Sequence, residues 1–118
     1  MKTEERLKME VTQDRRDNVM VLAIKGRLDS GTSADFEAQL LGLVRSGENR
    51  LILDLRELDY ISSSGLRVLL KAAKELKQTK GRISLCRAKD YVREVFEMSG
   101  FISFLPIFGT VDEGLKNT

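Results

Sequence analysis

Residues 51–70 read LILDLRELDYISSSGLRVLL, and this stretch decides the fold. The apolar run Leu51-Ile52-Leu53 ends at Asp54-Leu55, as a buried strand does. A short polar link, Arg56 to Ile61, comes next. Then come Ser62, Ser63, Ser64 and Gly65, and at once an apolar segment from Leu66. Strand, link, hydroxyl cluster and helix is the simplest physical reading. Serine hydroxyls just before a periodic apolar run are N-cap signals, because they satisfy amide N–H groups that the first helical turn leaves unpaired. One hydroxyl is enough for a cap, so adjacent serines exceed what capping requires. A cap with a tight turn and a functional hydroxyl cluster therefore stand side by side as readings.

Working outward, Leu7, Met9 and Val11 alternate with polar neighbours, the period of a half-buried strand. Asp14 to Asn18 is turn chemistry, and Val19 to Ile24 is a continuous apolar run, so the two strands read as an antiparallel hairpin. Gly26 to Thr32 reads as a loop, with Thr32 or Ser33 able to cap a helix beyond it. Phe36, Leu40, Leu43 and Val44 share one face of that helix, which ends near Ser46-Gly47. A strand reached through a helix favours parallel pairing. After the serines, Leu66, Leu69, Leu70, Ala73 and Leu76 form a stripe against Arg67, Lys71, Lys74 and Gln78, stopping before Gly81. Ile83, Leu85 and Cys86 give another strand. Asp90 is expected to cap a helix whose Val92, Val95, Phe96 and Ser99 share a face, ended by Gly100. Phe104 to Phe108 reads as a last strand, at an edge because of Pro106, and Thr110 to Leu115 as a final helical turn or two.

The order β-β-α-β-α-β-α-β-α implies an α/β fold. Its mixed central sheet begins with an antiparallel hairpin and is mostly parallel thereafter, with about four helices mainly on one face. Residues 1–118 are expected to form a single domain, with the polar residues 1–6 loosely held.

Composition narrows the function classes. At 118 residues, 42% hydrophobic and 32% charged, the chain has the make-up of an ordinary globular protein. A net charge of +2 does not argue for nucleic acid, and Lys71, Lys74, Lys77 and Lys80 read as a solvated helix face. No apolar run approaches the ~20 residues of a membrane span, and MKTEERLKME has no signal-peptide core, so no membrane insertion and a cytoplasmic location are expected. The lone Cys86 suits a reducing compartment as a buried, inert thiol. The absence of histidine removes His-based triads and most zinc sites. No metal or cofactor is expected.

In sheets of this kind functional loops lie beyond the carboxyl ends of strands. Gly26–Thr32 and Arg56–Gly65 are two such loops, and if their strands are neighbours Asp29 and the serines share a rim. A serine hydrolase would need a base, and only Asp29, Asp54 or Asp59 is at hand. There is no Gly-x-Ser-x-Gly elbow and no phosphate-binding Gly-rich loop followed by Lys. Catalysis by this chain is not expected.

The residues also carry a resemblance. Asp54-Leu55 followed by Ile61-Ser62-Ser63-Ser64-Gly65-Leu66 resembles the core motif of the STAS domain, the sulphate-transporter and anti-sigma-factor-antagonist family. Gly26-Arg27-Leu28-Asp29 resembles the family's Gly-x-Leu-Asp, and Gly81 and Phe96-Glu97-Met98-Ser99-Gly100-Phe101 also fit. The resemblance implies the same architecture and a non-enzymatic role as an anti-sigma factor antagonist. Unphosphorylated, such a protein binds an anti-sigma factor of the serine-kinase type and releases the sigma factor. Phosphorylation switches it off, and a serine phosphatase restores it.

Carried over serine by serine, the motif puts the acceptor at Ser63, with Ser64 and Ser62 as alternatives. Ser62 stands where the family commonly has Asp, which removes a negative charge and adds a hydroxyl. The resemblance implies partner contacts at Asp29, Ser30, Asp54, Ser62, Ser64, Gly65 and Arg67. Beside these stand plainer roles: Ser62 and Ser64 as caps, Asp54 as a strand-end turn residue, Asp29 as an Asx-turn former, and Gly65 as a steric gap. A monomer or weak dimer is expected. An alternative is a STAS subunit of another complex, such as a lipid-transport ATPase or a stressosome-like assembly.

Overall fold

The computed structural model describes residues 9–118. The expectations for residues 1–6, and for Leu7 as the start of a strand, lie outside the described residues. The elements in order are β1 (Met9–Arg16), β2 (Val19–Leu28), α1 (Ser33–Arg45), β3 (Arg50–Asp54), β4 (Leu58–Ile61) and α2 (Ser63–Gln78). They continue with β5 (Arg82–Cys86), α3 (Asp90–Ser99), a 3-10 turn (Phe101–Ser103), β6 (Ile107–Phe108) and α4 (Val111–Asn117). The strands form one sheet in the order β1-β2-β3-β5-β6, with β4 also paired to β2. β1 and β2 are antiparallel and the remaining pairs are parallel.

Alternation along the strands divides the core between two faces. Leu22, Ile24, Leu51, Leu53, Ile83 and Leu85 point to the face covered by α1, α2 and α3, where they meet Phe36, Leu40, Leu69 and Phe96. Val19, Val21, Ile52 and Cys86 point to the other face, where Val111 and Leu115 of α4 and Phe108 cover them. Most of the helical mass is thus on one face, as expected, and α4 closes the other. α4 sits close to β3: a Cβ on Gly114 would lie 3.2 Å from Ile52 Cδ1.

Several boundaries differ from expectation. The hairpin turn is only Asp17-Asn18, because β1 pairs with β2 as far as Arg16↔Val19. β1 is an edge strand, and backbone pairing tolerates charged side chains there. β2 runs on through Gly26 to Leu28 rather than ending at Ile24. On α2 the buried side chains are Leu66, Val68, Leu69, Ala72 and Leu76, while Leu70 and Ala73 are half-buried, so the stripe is rotated from the expected one. Lys89, not Asp90, occupies the N-cap of α3, and Asp90 lies in the first turn. Gly100 ends α3 in the left-handed region, φ 80°, where a residue with a Cβ is strained.

The last strand shrinks to Ile107–Phe108. The Pro106 carbonyl accepts the Leu85 N–H at 2.8 Å, but proline has no N–H to return. The Phe104 N–H is turned back to the Phe101 carbonyl at 2.9 Å, so the ladder cannot extend upstream.

Candidate functional site

The site arises because β2 outruns β3. Met20 to Ala23 pair with Leu51 to Asp54, and beyond them Gly26 to Leu28 pair with Leu58 to Ile61. The link Leu55–Glu57 shifts the chain from one stretch of β2 to the next. The Gly26 N–H donates to the Glu57 carbonyl at 3.0 Å, and the register shifts between Gly26 and Arg27. The Ser62 N–H then donates to the Leu28 carbonyl at 2.9 Å, which sets the start of α2 against the end of β2. Gly65 permits that approach, since a Cβ there would lie 2.8 Å from Leu28 Cγ and 3.0 Å from the Leu28 carbonyl oxygen. The expected steric role of Gly65 is therefore visible in the packing.

The serines divide by burial and bonding. Ser62 is the N-cap of α2, in extended conformation, and its Oγ accepts the Gly65 N–H at 3.3 Å. Ser62 Oγ lies 2.8 Å from Ser64 Oγ, and Ser64 Oγ lies 3.1 Å from Ser33 Oγ. Ser33 is 7% exposed and donates to the Asp29 carbonyl at 2.6 Å. Ser62 and Ser64 are half-buried, whereas Ser63, the first residue of α2, is exposed. The partners of the linked hydroxyls are hydroxyls and backbone groups rather than a basic side chain, which is capping chemistry and not nucleophile activation.

Asp29 forms the expected Asx turn. Its Oδ1 accepts the Gly31 N–H at 2.9 Å and the Thr32 N–H at 3.2 Å, and its Oδ2 accepts from Arg27 Nε at 3.4 Å. Partial burial pushes the carboxyl up. The Gly31 amide, the Arg27 guanidinium and the Thr32 amide outweigh it, so its pKa lies below the ordinary value. Thr32 occupies the N-cap of α1 without making a side-chain cap bond; its hydroxyl donates to the Arg27 carbonyl at 2.8 Å instead. Ser30 is exposed at the loop tip. Arg67 is exposed four residues after Ser63, hence on the same side of α2.

Asp29 and the serines are thus joined through Ser33. Asp54 is not part of that group. It alternates onto the sheet face of Ile52, where it is 8% exposed. Its Oδ1 accepts from Arg87 Nε at 3.0 Å and its Oδ2 from Arg87 Nη2 at 2.5 Å, a two-pronged ion pair. Arg87 follows β5 with φ 58°, left-handed for a residue with a Cβ, and its own N–H donates to the Phe108 carbonyl at 3.0 Å. Next to this pair, burial first and then the Asp54 charge push the Cys86 thiol up to about 11, so it stays protonated near neutrality.

Two rim features escape sequence reasoning. Arg27 stacks over Tyr60 with its guanidinium carbon 4.4 Å from the ring centroid, and both side chains are exposed. Asp59 pairs with Lys89, joining β4 to the start of α3. Each depends on β4, and the burial of Leu58 and Ile61 with Asp59 and Tyr60 both exposed does not match the strand period. From the sequence Ser33 reads only as a possible cap, since nothing in its neighbours points to a serine so far along the chain. Among the described residues no helix is long and apolar enough to cross a membrane.

Known proteins resemble this chain in both sequence and fold. The family model described as the STAS domain matches residues 10–114. BtrV of Bordetella bronchiseptica, named as a candidate anti-sigma factor antagonist, is 46% identical over 99 residues, covering 84% of this chain and 85% of BtrV. The crystal structure of an anti-sigma factor antagonist from Mycobacterium paratuberculosis superposes with a TM-score of 0.84 at 21% identity, covering 92% of each chain. The Bacillus cell fate determinant SpoIIAA in its phosphorylated form gives a TM-score of 0.72 at 22% identity, covering 92% of this chain and 98% of that one. At those identities the two solved structures speak to the fold alone.

Proposed function

The chain belongs to the STAS domain family, and from that premise we propose that it is an anti-sigma factor antagonist switched by phosphorylation of Ser63. In its unphosphorylated form it captures an anti-sigma factor of the serine-kinase type and so releases a sigma factor. A serine phosphatase returns the modified form to the active pool. The likeness to BtrV, whose name describes a candidate anti-sigma factor antagonist, supports the class of function. The observation that carries the choice of residue is local: of the serines at the start of α2, Ser63 alone is exposed, while Ser62 and Ser64 are bonded to one another.

The reaction on Ser63 is the kinase's, with ATP as donor. Ser63 Oγ attacks the γ-phosphorus and forms the new O–P bond, and the bond to the β-phosphate oxygen breaks. ADP leaves with that electron pair, and the hydroxyl proton passes to a base of the kinase. What this chain supplies is an accessible hydroxyl on a rigid cap. A phosphate at the first position of a helix meets amide donors and the positive end of the dipole, so the fold tolerates it. Against a partner surface lacking a matching cation, the same dianion loses hydration and repels association. Modification therefore expels the partner without unfolding the domain. Arg67, one turn along α2 from Ser63, and Asp29 and Ser30 of the loop tied to the cap through Ser33 are the remaining contact candidates, with Ser62, Ser64 and Gly65 beside them.

The test is to incubate the protein with a kinase-type anti-sigma factor and ATP, then map the phosphate by mass spectrometry and titrate binding before and after. Stoichiometric phosphate at Ser63 with loss of binding is the expected result. Tight binding that survives phosphorylation would refute the switch.

A further inference from the structure

The serines at the start of α2 are covalently alike, yet their hydroxyl protons are not equally free. A serine hydroxyl has one proton to donate. That of Ser33 goes to the Asp29 carbonyl at 2.6 Å, a group that only accepts. Toward Ser64 Oγ, 3.1 Å away, Ser33 must therefore be the acceptor. The Ser64 proton is committed to Ser33, so across the 2.8 Å contact Ser64 accepts the proton of Ser62. Ser62 Oγ in turn accepts the Gly65 N–H at 3.3 Å. The hydroxyls form a one-way chain, from the Gly65 amide through Ser62, Ser64 and Ser33 to the Asp29 carbonyl. Backbone groups fix its direction at both ends. Ser63 stands outside it, exposed.

Resting on the phosphoacceptor reading above, we propose that Ser33 is a positioning residue that makes Ser63 the preferred acceptor by holding Ser64 in this chain. Transfer to Ser64 would require its oxygen to leave the chain and its proton to leave Ser33 for the kinase's base. Ser62 would then lack its acceptor, and the buried Ser33 its donor. Transfer to Ser63 disturbs none of these bonds. Ser33 itself is 7% exposed and does not need to touch the kinase, so its effect is exerted through Ser64. The hydroxyl chain also ties the Asp29 loop to the cap of α2, two segments separated along the sequence by α1, β3 and β4.

The experiment has two arms. In the first, wild type, Ser33→Ala and the double variant Ser33→Ala/Ser64→Ala are phosphorylated by the kinase with ATP and mapped by mass spectrometry, with circular dichroism as the folding check. Wild type should carry phosphate on Ser63 with only a minor share on Ser64. Ser33→Ala should raise the share on Ser64 by roughly fivefold or more, the worth of one net hydrogen bond. The double variant should return all phosphate to Ser63. In the second arm, without kinase, hydroxyl-proton exchange is monitored by NMR. The Ser64 proton should exchange slowly in wild type and fast in Ser33→Ala, with Ser63 fast in both. Phosphate confined to Ser63 in Ser33→Ala overturns the selection, and a Ser64 proton as labile as that of Ser63 in wild type overturns the chain itself. If no serine of the wild type takes phosphate, the phosphoacceptor reading falls and selection falls with it, even where slow exchange shows the chain to exist.

Discussion

Two clusters lie at the carboxyl ends of neighbouring strands, on opposite faces of the sheet, and they are built from different chemistry. One is the Asp54–Arg87 ion pair, nearly dry on the carboxylate side, with both prongs made and a left-handed backbone at Arg87. The other is the neutral hydroxyl chain at the start of α2, with a spare, exposed Ser63 beside it. The first commits charge to holding β3 and β5 together. The second satisfies the helix cap with neutral groups and leaves one hydroxyl for chemistry. The contrast teaches where a charge can be added. A new dianion at the neutral cap meets unfilled amide donors, whereas at the ion pair it would compete with a carboxylate already in place.

The contrast can be broken most forcefully at Ser63. Ser63→Glu places a carboxylate on the partner-facing surface with no matching cation across the contact, and Arg67, one turn along α2, offers it only an exposed, weak pair. An unpaired buried charge of about 3–5 kcal/mol weakens capture by roughly two to four orders of magnitude. The thermal midpoint should stay near that of the wild type. Titration against the anti-sigma factor checks it, and wild-type affinity for this variant would end the charge-switch model.

At the ion pair the balance should reverse. Asp54→Asn keeps the shape and removes the negative charge that pairs with Arg87, so it should cost about 1–3 kcal/mol in denaturant unfolding. Partner capture by the folded variant should be unchanged. If capture falls while the denaturant midpoint holds, Asp54 belongs to the interface after all, and the division between the faces fails.

Ser62→Ala sharpens the comparison on the neutral side. Removing the cap acceptor strands the Gly65 amide and should cost about 0.5–2 kcal/mol. That is a loss of fold stability, not of the acceptor. Phosphate should still reach Ser63, and mass spectrometry on the variant decides the point.

The smallest effect expected is at Asp29. Its pKa is lowered in the folded protein, so its contribution is complete above the ordinary carboxylate value of 3.8 and is lost as pH falls through the lower folded value. The stability difference between wild type and Asp29→Asn should be flat from pH 7 to about 4 and shrink below that. A difference that grows on acidification would mean that folding raises the Asp29 pKa instead of lowering it.

Much of the molecule is determined by the sequence alone, because the relevant interactions are local. Apolar runs at Val19–Ile24 and Leu51–Leu53 specify strands buried on both faces. The spacing of Leu66, Leu69 and Leu76 specifies a helix against them, and a serine ahead of that run specifies its cap. Each signal is carried by residues within a turn or a strand of one another. Gly65 is legible for a similar reason, as a glycine between the serines and the apolar run that starts at Leu66. What the tertiary structure alone decided depends on which segments meet. β4 forms although its burial has no strand period, because the end of β2 offers it an unpaired edge. Asp54 turns away from the serines because alternation along β3 puts it on the face opposite Leu53, where Arg87 waits. Ser33 reaches Ser64 across 31 positions of chain, and that contact sets Ser64 apart from the exposed Ser63 beside it. A local pattern cannot encode a hydrogen bond between distant residues. It can only supply the groups, and the packing of α1 and α2 on β2 brings them within reach.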